Sequence, residues 1–300
     1  MSAPTLVILA AGIGSRYGGL KQLDEFGPSG ETLMDYAVYD AARSGFEKVV
    51  LVVRADMADG FRARFEPRWT PAVRLATVVQ ELDRVPAGFT VPPGRSKPWG
   101  TAHAVLMAAP VVDTPFVVIN ADDFYGRGSY ARAGEFFRQS TDDLYGVVGF
   151  ELQRTLSAYG TVSRGVCETD AAGHLRRVTE RTEIERRGDV IAYRDEHGEW
   201  RPLAPATPVS MNMITFPPAV FPLLECYFAD FLAAQGGESR AEFFLPLVLT
   251  RVIDEEVGRV RVIPTDEQWF GVTYREDRDW VRSSLRRLVD RGVYPSCLWP

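Results

Sequence analysis

A chain of 300 residues has room for one large α/β domain or two small ones. Hydrophobic residues make up 46% and charged residues 25%, a balance that buries a full core and excludes disorder, collagen-like repeats and disulfide scaffolds. The 34 basic and 40 acidic side chains leave a net charge of −6, and without a long basic run the chain is not a sequence-independent coat for nucleic acid.

Leu6-Val-Ile-Leu9 is a short β-branched run that predicts a buried strand. A glycine loop follows from Ala10 to Gly19. Residues 31–44 carry helical spacing, closed by Gly45. Val49–Val53 predicts a second strand, residues 56–65 a helix and residues 74–80 a third strand. Residues 84–97, rich in proline and glycine, predict a loop and a candidate lid. A helix over 99–109 precedes the strand Pro115-Phe-Val-Val-Ile119, which ends at Asn120-Ala-Asp-Asp123, and residues 130–140 are helical.

Beyond about residue 145 the pattern changes. Short strands are predicted at 146–150, 161–163 and 175–178, with a hairpin over 190–193 and 199–203. Helices over 217–231 and 242–254, a strand over 257–262 and a closing helix over 279–291 complete the chain. Strands alternating with helices, and apolar throughout, predict a mostly parallel sheet covered by helices on both faces. The second half reads as a mixed sheet added to the first, so residues 1–300 are expected to form one domain with halves at 1–145 and 146–300.

Cys167, Cys226 and Cys297 lie far apart, form no CxxC pair and read as reduced thiols of a cytoplasmic protein. The apolar run Leu6–Ala11 has no basic flank and enters glycines, so neither a signal peptide nor a membrane span is expected. The apolar helices near the C-terminus offer an interface for a homo-oligomer.

Ligands of open α/β sheets bind outside the carboxyl ends of the strands. Two polar stretches fall there: the glycine loop and Asp122-Asp123. Gly12 and Gly14 permit a tight turn whose N–H groups face a phosphate, and Arg16 and Lys21 add positive charge against a polyphosphate. The same letters also suit a structural turn with two solvated cations. A Walker A loop is excluded because Leu20 and Gln22 flank Lys21; a dinucleotide fingerprint fails at Tyr17, which leaves a nicotinamide oxidoreductase as a competitor. An aspartate pair after a strand suits a hard cation, or caps the helix that follows.

Leu9-Ala-Ala-Gly-Ile-Gly-Ser-Arg16, with Lys21-Gln-Leu23 behind it, resembles the signature of the sugar-1-phosphate nucleotidyltransferases, the NDP-sugar pyrophosphorylases. The likeness continues through Lys97-Pro-Trp-Gly-Thr-Ala-His-Ala104 and Asn120-Ala-Asp-Asp-Phe-Tyr-Gly126, then more faintly at Tyr159-Gly-Thr-Val162, Glu180-Arg181 and Ser210-Met-Asn-Met213. The resemblance implies a Rossmann-like nucleotidyltransferase fold with a mixed-sheet sugar-binding extension. It implies NMP transfer from an NTP, with UTP or dTTP favoured, to a sugar 1-phosphate or similar small phosphate, with Mg²⁺ and release of pyrophosphate. A non-catalytic nucleotide sensor on the same fold is the alternative.

Residue by residue, the resemblance implies that Leu9, Ala11, Gly12 and Gly14 wrap the triphosphate, while Arg16 and Lys21 hold its phosphates. Gln80 would face the base, where it also reads as an ordinary strand-end polar residue. Gly100 and Thr101 would close the base and ribose site. Asp122 would bind Mg²⁺. Gly160, Glu180 and Asn212 would line the sugar pocket, although Glu180 sits in a charged run that suits a solvated face and a buried Asn212 needs only backbone partners. Two departures stand out. Gly271 occupies the aspartate position of a late W-x-D-x-G segment, so either one carboxylate suffices or another group, such as Asp277 or Asp123, serves. Arg181 stands where a lysine is usual, keeping the charge and changing its geometry.

Overall fold

The computed structural model describes residues 2–12, 21–139, 141–157, 160–272 and 277–300, Lys21 by its backbone only. In chain order these form β1 (Thr5–Leu9), α1 (Leu33–Arg43), β2 (Lys48–Val53), α2 (Ala58–Trp69), β3 (Arg74–Val79), α3 (Thr101–Met107), β4 (Phe116–Asn120), β5 (Asp123–Phe124) and α4 (Arg127–Phe137). Then come β6 (Leu144–Glu151), β7 (Val162–Thr169), β8 (Leu175–Arg187), β9 (Val190–Arg194), β10 (Trp200–Leu203) and β11 (Pro208–Phe216). The chain finishes with α5 (Val220–Gln235), α6 (Leu245–Asp254), β12 (Arg259–Thr265), β13 (Phe270–Gly271) and α7 (Asp277–Asp290).

The predicted parallel sheet is present. β4, β1, β2 and β3 lie side by side, all parallel, so Leu9, Asn120 and Val52 end at one edge. Strand β11 runs antiparallel to β4 and carries the sheet into the second half: β6 and β12 on one side, β7–β10 on a branch. The result is an 11-stranded mixed sheet. Alternation along β1 sends Leu6 and Ile8 to one face, against α1, α2 and α4, and Val7 to the other, against α3, α5 and α6. The apolar α5 and α6, expected to offer an oligomer interface, bury Phe221, Leu224, Phe228, Val248 and Val252 against this second face.

Local chemistry explains the boundaries. Thr32 and Asp35 cap α1 reciprocally: the Thr32 hydroxyl accepts from the Asp35 N–H at 3.2 Å and the Asp35 carboxylate from the Thr32 N–H at 2.8 Å. Asp35, wholly buried, also accepts from the Trp69 indole at 2.8 Å and from Arg68, tying α1 to α2. That tether, with Trp69 stacked on Phe65 at 4.4 Å, carries α2 through Pro67, beyond the predicted end at residue 65.

β11, and most of β8 beyond the predicted 175–178, were hidden in the sequence. β11 is broken by a bulge between Ser210 and Ile214, with Asn212 at φ 61°, so its alternation fails where a period-2 pattern would reveal it. β8 continues to Arg187 under a run of charged residues, with Ile184 fully buried beneath. Only one face of such a strand needs to be apolar.

The loop over 84–97 is pinned at its far end. Arg95 stacks on Trp99 at 3.5 Å and donates to four carbonyls, those of Lys97, Pro98, Glu238 and Ala241, at 2.7–3.2 Å. At the C-terminus the chain folds back on α1: Tyr294 donates to Asp40 at 2.6 Å, and the Leu298 N–H to Glu31 at 3.2 Å.

Candidate active site

The first candidate stretch leaves the sheet between two neighbouring strands. The Ala10 N–H donates to the Val52 carbonyl at 2.8 Å and the Ala121 N–H to the Leu9 carbonyl at 3.1 Å, which holds Leu9–Ala11 at the carboxyl edge. Gly12 is exposed, and a Cβ there would meet nothing within 4 Å among the described residues. Gly14 and Arg16 lie outside the described residues. The backbone reappears as a 3₁₀ turn over Lys21–Leu23; the side chain of Lys21 is likewise outside the description. Gln22, buried, donates to the Gly12 carbonyl at 3.0 Å and so draws together the two ends of the loop. Its letters stood in the quoted motif, but nothing in their spacing assigns it this task.

Gln80 begins where β3 stops, with its N–H on the Val53 carbonyl at 2.8 Å. Its amide nitrogen donates to the Gly100 carbonyl at 3.0 Å and to His103 Nδ1 at 3.2 Å. His103 is fully buried, and burial lowers its pKa to about 4, so the ring is neutral, accepting at Nδ1 and donating from Nε2 to the Arg84 carbonyl at 3.1 Å. This chain settles which end of the Gln80 amide is nitrogen, and leaves Oε1 as the end without a hydrogen bond among the described residues. Gly100 is required by φ 104° and by crowding, since a Cβ would lie 2.5 Å from the Phe243 carbonyl oxygen. The Thr101 hydroxyl accepts from the Leu245 N–H at 3.1 Å, joining α3 to α6.

Across the edge, Asp122 follows β4 and is half-buried, while Asp123 is 8% exposed. Asn120 Nδ2 donates to Asp123 Oδ2 at 2.9 Å, and the Tyr125 hydroxyl lies 3.2 Å from the same oxygen and 3.1 Å from the Met211 carbonyl. Burial and the Asp123 charge keep the Tyr125 phenol protonated, so it stays a donor between the end of β4 and the β11 bulge. The paired β5 and β13 set Gly271 opposite Asp123. Asp123 therefore packs where a side chain at position 271 would stand.

The acceptor-side candidates come from β7, β8 and β11. A cavity of about 470 Å³ is walled by Thr155–Ser157 and Gly160–Arg164 on one side and by Trp269–Gly271, Asp277 and Trp280 on the other. Glu180 lines a separate cleft with Arg181, which stacks on Tyr193 at 4.6 Å. Burial raises the pKa of Glu180, and the nearby Arg164 opposes the rise. Asn212 sits on the β11 bulge beside Met211, whose carbonyl faces Tyr125. Arg164, which the motifs do not single out, faces this cavity.

The family model described as nucleotidyl transferase matches residues 5–191, more than half of the chain. The chain belongs to the nucleotidyl transferase family. It is accordingly an enzyme of nucleotidyl transfer. Solved structures share the fold over nearly the whole chain. The inositol-1-phosphate CTP transferase of T. maritima matches with a TM-score of 0.62 at 14% identity, covering 95% of this chain and 97% of that one. A putative glucose-1-phosphate thymidylyltransferase from Bacillus anthracis, in complex with a sucrose, gives 0.61 at 14% identity, covering 95% and 96%. A UDP-glucose pyrophosphorylase complexed with UDP-glucose gives 0.58 at 15% identity, covering 95% and 99%. Comparison with curated proteins yields no match. No helix among the described residues is long and apolar enough to cross a membrane.

Proposed function

We propose that this nucleotidyltransferase moves the NMP of UTP or dTTP to a sugar 1-phosphate or similar small phosphate and releases pyrophosphate. The observation that carries the proposal is the turn Leu9–Gly12 at the carboxyl edge, its loop drawn closed by Gln22, with Asp122 at the end of the neighbouring strand. The named neighbours act on inositol 1-phosphate and glucose 1-phosphate, which supports a phosphorylated polyol as acceptor.

The chemistry asks for few proton movements. A phosphate oxygen of the acceptor, already anionic, attacks the α-phosphorus in line; the bond to the β-phosphate oxygen breaks and pyrophosphate leaves with the electron pair. The barrier lies in bringing anions together and in charge growing on the leaving group, so positioning and cationic stabilisation do the catalysis. Backbone N–H groups of the loop, with Arg16 and Lys21, hold the triphosphate. Gln80 Oε1 accepts from the N3–H of uracil or thymine; cytosine carries no proton there, which favours UTP and dTTP over CTP. Glu180 and Asn212 bind acceptor hydroxyls.

The carboxylates suit Mg²⁺, which takes oxygen ligands and is commonly held by one or two carboxylates plus substrate phosphates. Asp122 would hold the ion, with Asp123 behind it; among the described residues no cluster of three or more protein ligands exists. When bound, Mg²⁺ supplies positive charge against the phosphates. A pyrophosphate-release screen of four NTPs against a panel of sugar phosphates, with and without Mg²⁺, tests the proposal. No release with any pair would overturn it.

A further inference from the structure

Arg164 has no acidic side chain within ion-pair distance among the described residues. It stands on β7 and lies over the Trp269 ring at 4.8 Å. Its Nε donates to the Thr155 hydroxyl at 3.1 Å, one terminal nitrogen to the Ser163 carbonyl at 2.8 Å and the other to the Thr155 carbonyl. Three of the five guanidinium N–H groups are thereby used, leaving two without an acceptor among the described residues. No carboxylate stands within 4.0 Å of it among those residues, although Asp123 and Glu180 act on it through space.

A second observation bears on the same group. In the β7–β8 ladder Arg164 is paired directly with Arg181. Like charges directly opposite each other on one face cost stability. The chain separates their tips by stacking one on Trp269 and the other on Tyr193. A desolvated cation, fixed by a ring and a hydroxyl, set against another cation and aimed into a cavity, is arranged for an anion that arrives from outside.

We infer that Arg164 is the residue that anchors the phosphate of the acceptor in the cavity between Gly160 and Trp269. The inference rests on the proposed transfer reaction and deepens it. Asp123 and Glu180 are both close enough to act on Arg164 through space. A phosphorylated polyol offers both an anion for Arg164 and hydroxyls for Glu180. The acceptor class is therefore a phosphomonoester of a compact polyol, and the neutral polyol is a poor ligand.

Calorimetric titration of the full chain tests this. The protein is first saturated with α,β-methylene-UTP and Mg²⁺, which fills the nucleotide site and cannot turn over. Inorganic phosphate and glucose 1-phosphate are then the probes. Arg164→Gln is expected to weaken both by about tenfold, the scale of one charge-assisted contact, and to leave binding of the UTP analogue within about twofold. Arg164→Lys, which keeps the charge and loses the fork, is expected to fall between. Glucose itself binds the two variants and the parent alike. Melting curves identify a variant that fails to fold, in which case Arg164→Lys and Thr155→Val, which frees Nε without removing the charge, are each expected to show a smaller selective loss. Phosphate binding unchanged in Arg164→Gln, or lost in step with the nucleotide, overturns the inference alone. Failure of the parent protein to bind the UTP analogue overturns the reaction itself and this inference with it.

Discussion

A Cβ placed on Gly271 would lie 2.4 Å from Asp123 Oδ1. The two positions share one volume, so any side chain at 271 would meet the Asp123 carboxylate. Asp123 cannot step aside cheaply, because Asn120 Nδ2 and the Tyr125 hydroxyl both hold its other oxygen. Gly271→Asp is therefore expected to destabilise the protein by about 1–3 kcal/mol and to impair turnover, through overpacking and like charge. Adding Asp123→Gly is expected to recover both. Thermal melts and pyrophosphate release on the single and double variants check this; a fully active, stable Gly271→Asp enzyme contradicts it.

Asp122→Ala is expected to leave the melting temperature near that of the parent and to lower turnover by orders of magnitude, with a higher Mg²⁺ concentration needed for half-maximal rate. The measurement is a Mg²⁺ titration of the rate. An enzyme with unchanged rate and unchanged Mg²⁺ dependence would remove Asp122 from the metal site.

On the proposed reading of Gln80, His103 would act on nucleotide choice from behind it. With Nδ1 gone, only the Gly100 carbonyl holds the Gln80 nitrogen inward, and the amide turns more readily to present a donor where it presented an acceptor. His103→Leu is expected to narrow the preference for UTP over CTP by about tenfold, the value of one hydrogen bond to the base. Competition kinetics with the two nucleotides read this directly, and an unaltered ratio counts against the role given to the Gln80 oxygen.

Arg95 joins the 84–97 loop to the segment before α6 through the Glu238 and Ala241 carbonyls, and also holds the Lys97 and Pro98 carbonyls and the Trp99 ring. Arg95→Met is expected to cost about 2–4 kcal/mol, since it strands those carbonyls while keeping most of the volume. A denaturant midpoint near that of the parent would show that the loop is held by other contacts.

Burial raises the pKa of Asp40 to about 8, against the hydrogen bond from Tyr294. The folded chain therefore prefers the protonated acid. Below about pH 4 both folded and unfolded forms are protonated and nothing is lost; as pH rises toward about 8 the unfolded form ionises first and stability falls. Asp40→Asn is expected to remove that slope, gaining several degrees of melting temperature over the parent at about pH 8.5 and little at about pH 5. Equal shifts at both pH values would exclude ionisation of Asp40 as the cause.

Much of the molecule can be read from the letters because local physics writes it there. The β-branched run of β1, the Thr32–Asp35 capping pair and the glycine loop at a strand end are short-range features, and each marks its element without help from distant residues. β11 could not be read, because its bulge at Asn212 is imposed by three partner strands. The charged exterior of β8 concealed its continuation from residue 179 to Arg187, where the apolar face is occupied by few residues. Arg164 escaped notice for a related reason. One arginine among many has no periodicity, and its partners Thr155, Trp269 and Arg181 approach from separate segments.

By itself the sequence determined the groups available at the sheet edge: a glycine-rich turn, an aspartate at the end of a neighbouring strand, and the order of these along an α/β chain. Only the tertiary structure decided how those groups are aimed. Which end of the Gln80 amide faces outward depends on a histidine 23 positions away. Whether residue 271 can carry a carboxylate depends on one already standing there at Asp123. Motifs record which atoms are present near a strand end, whereas orientation is set by packing and hydrogen bonds between segments that meet only once the chain has folded.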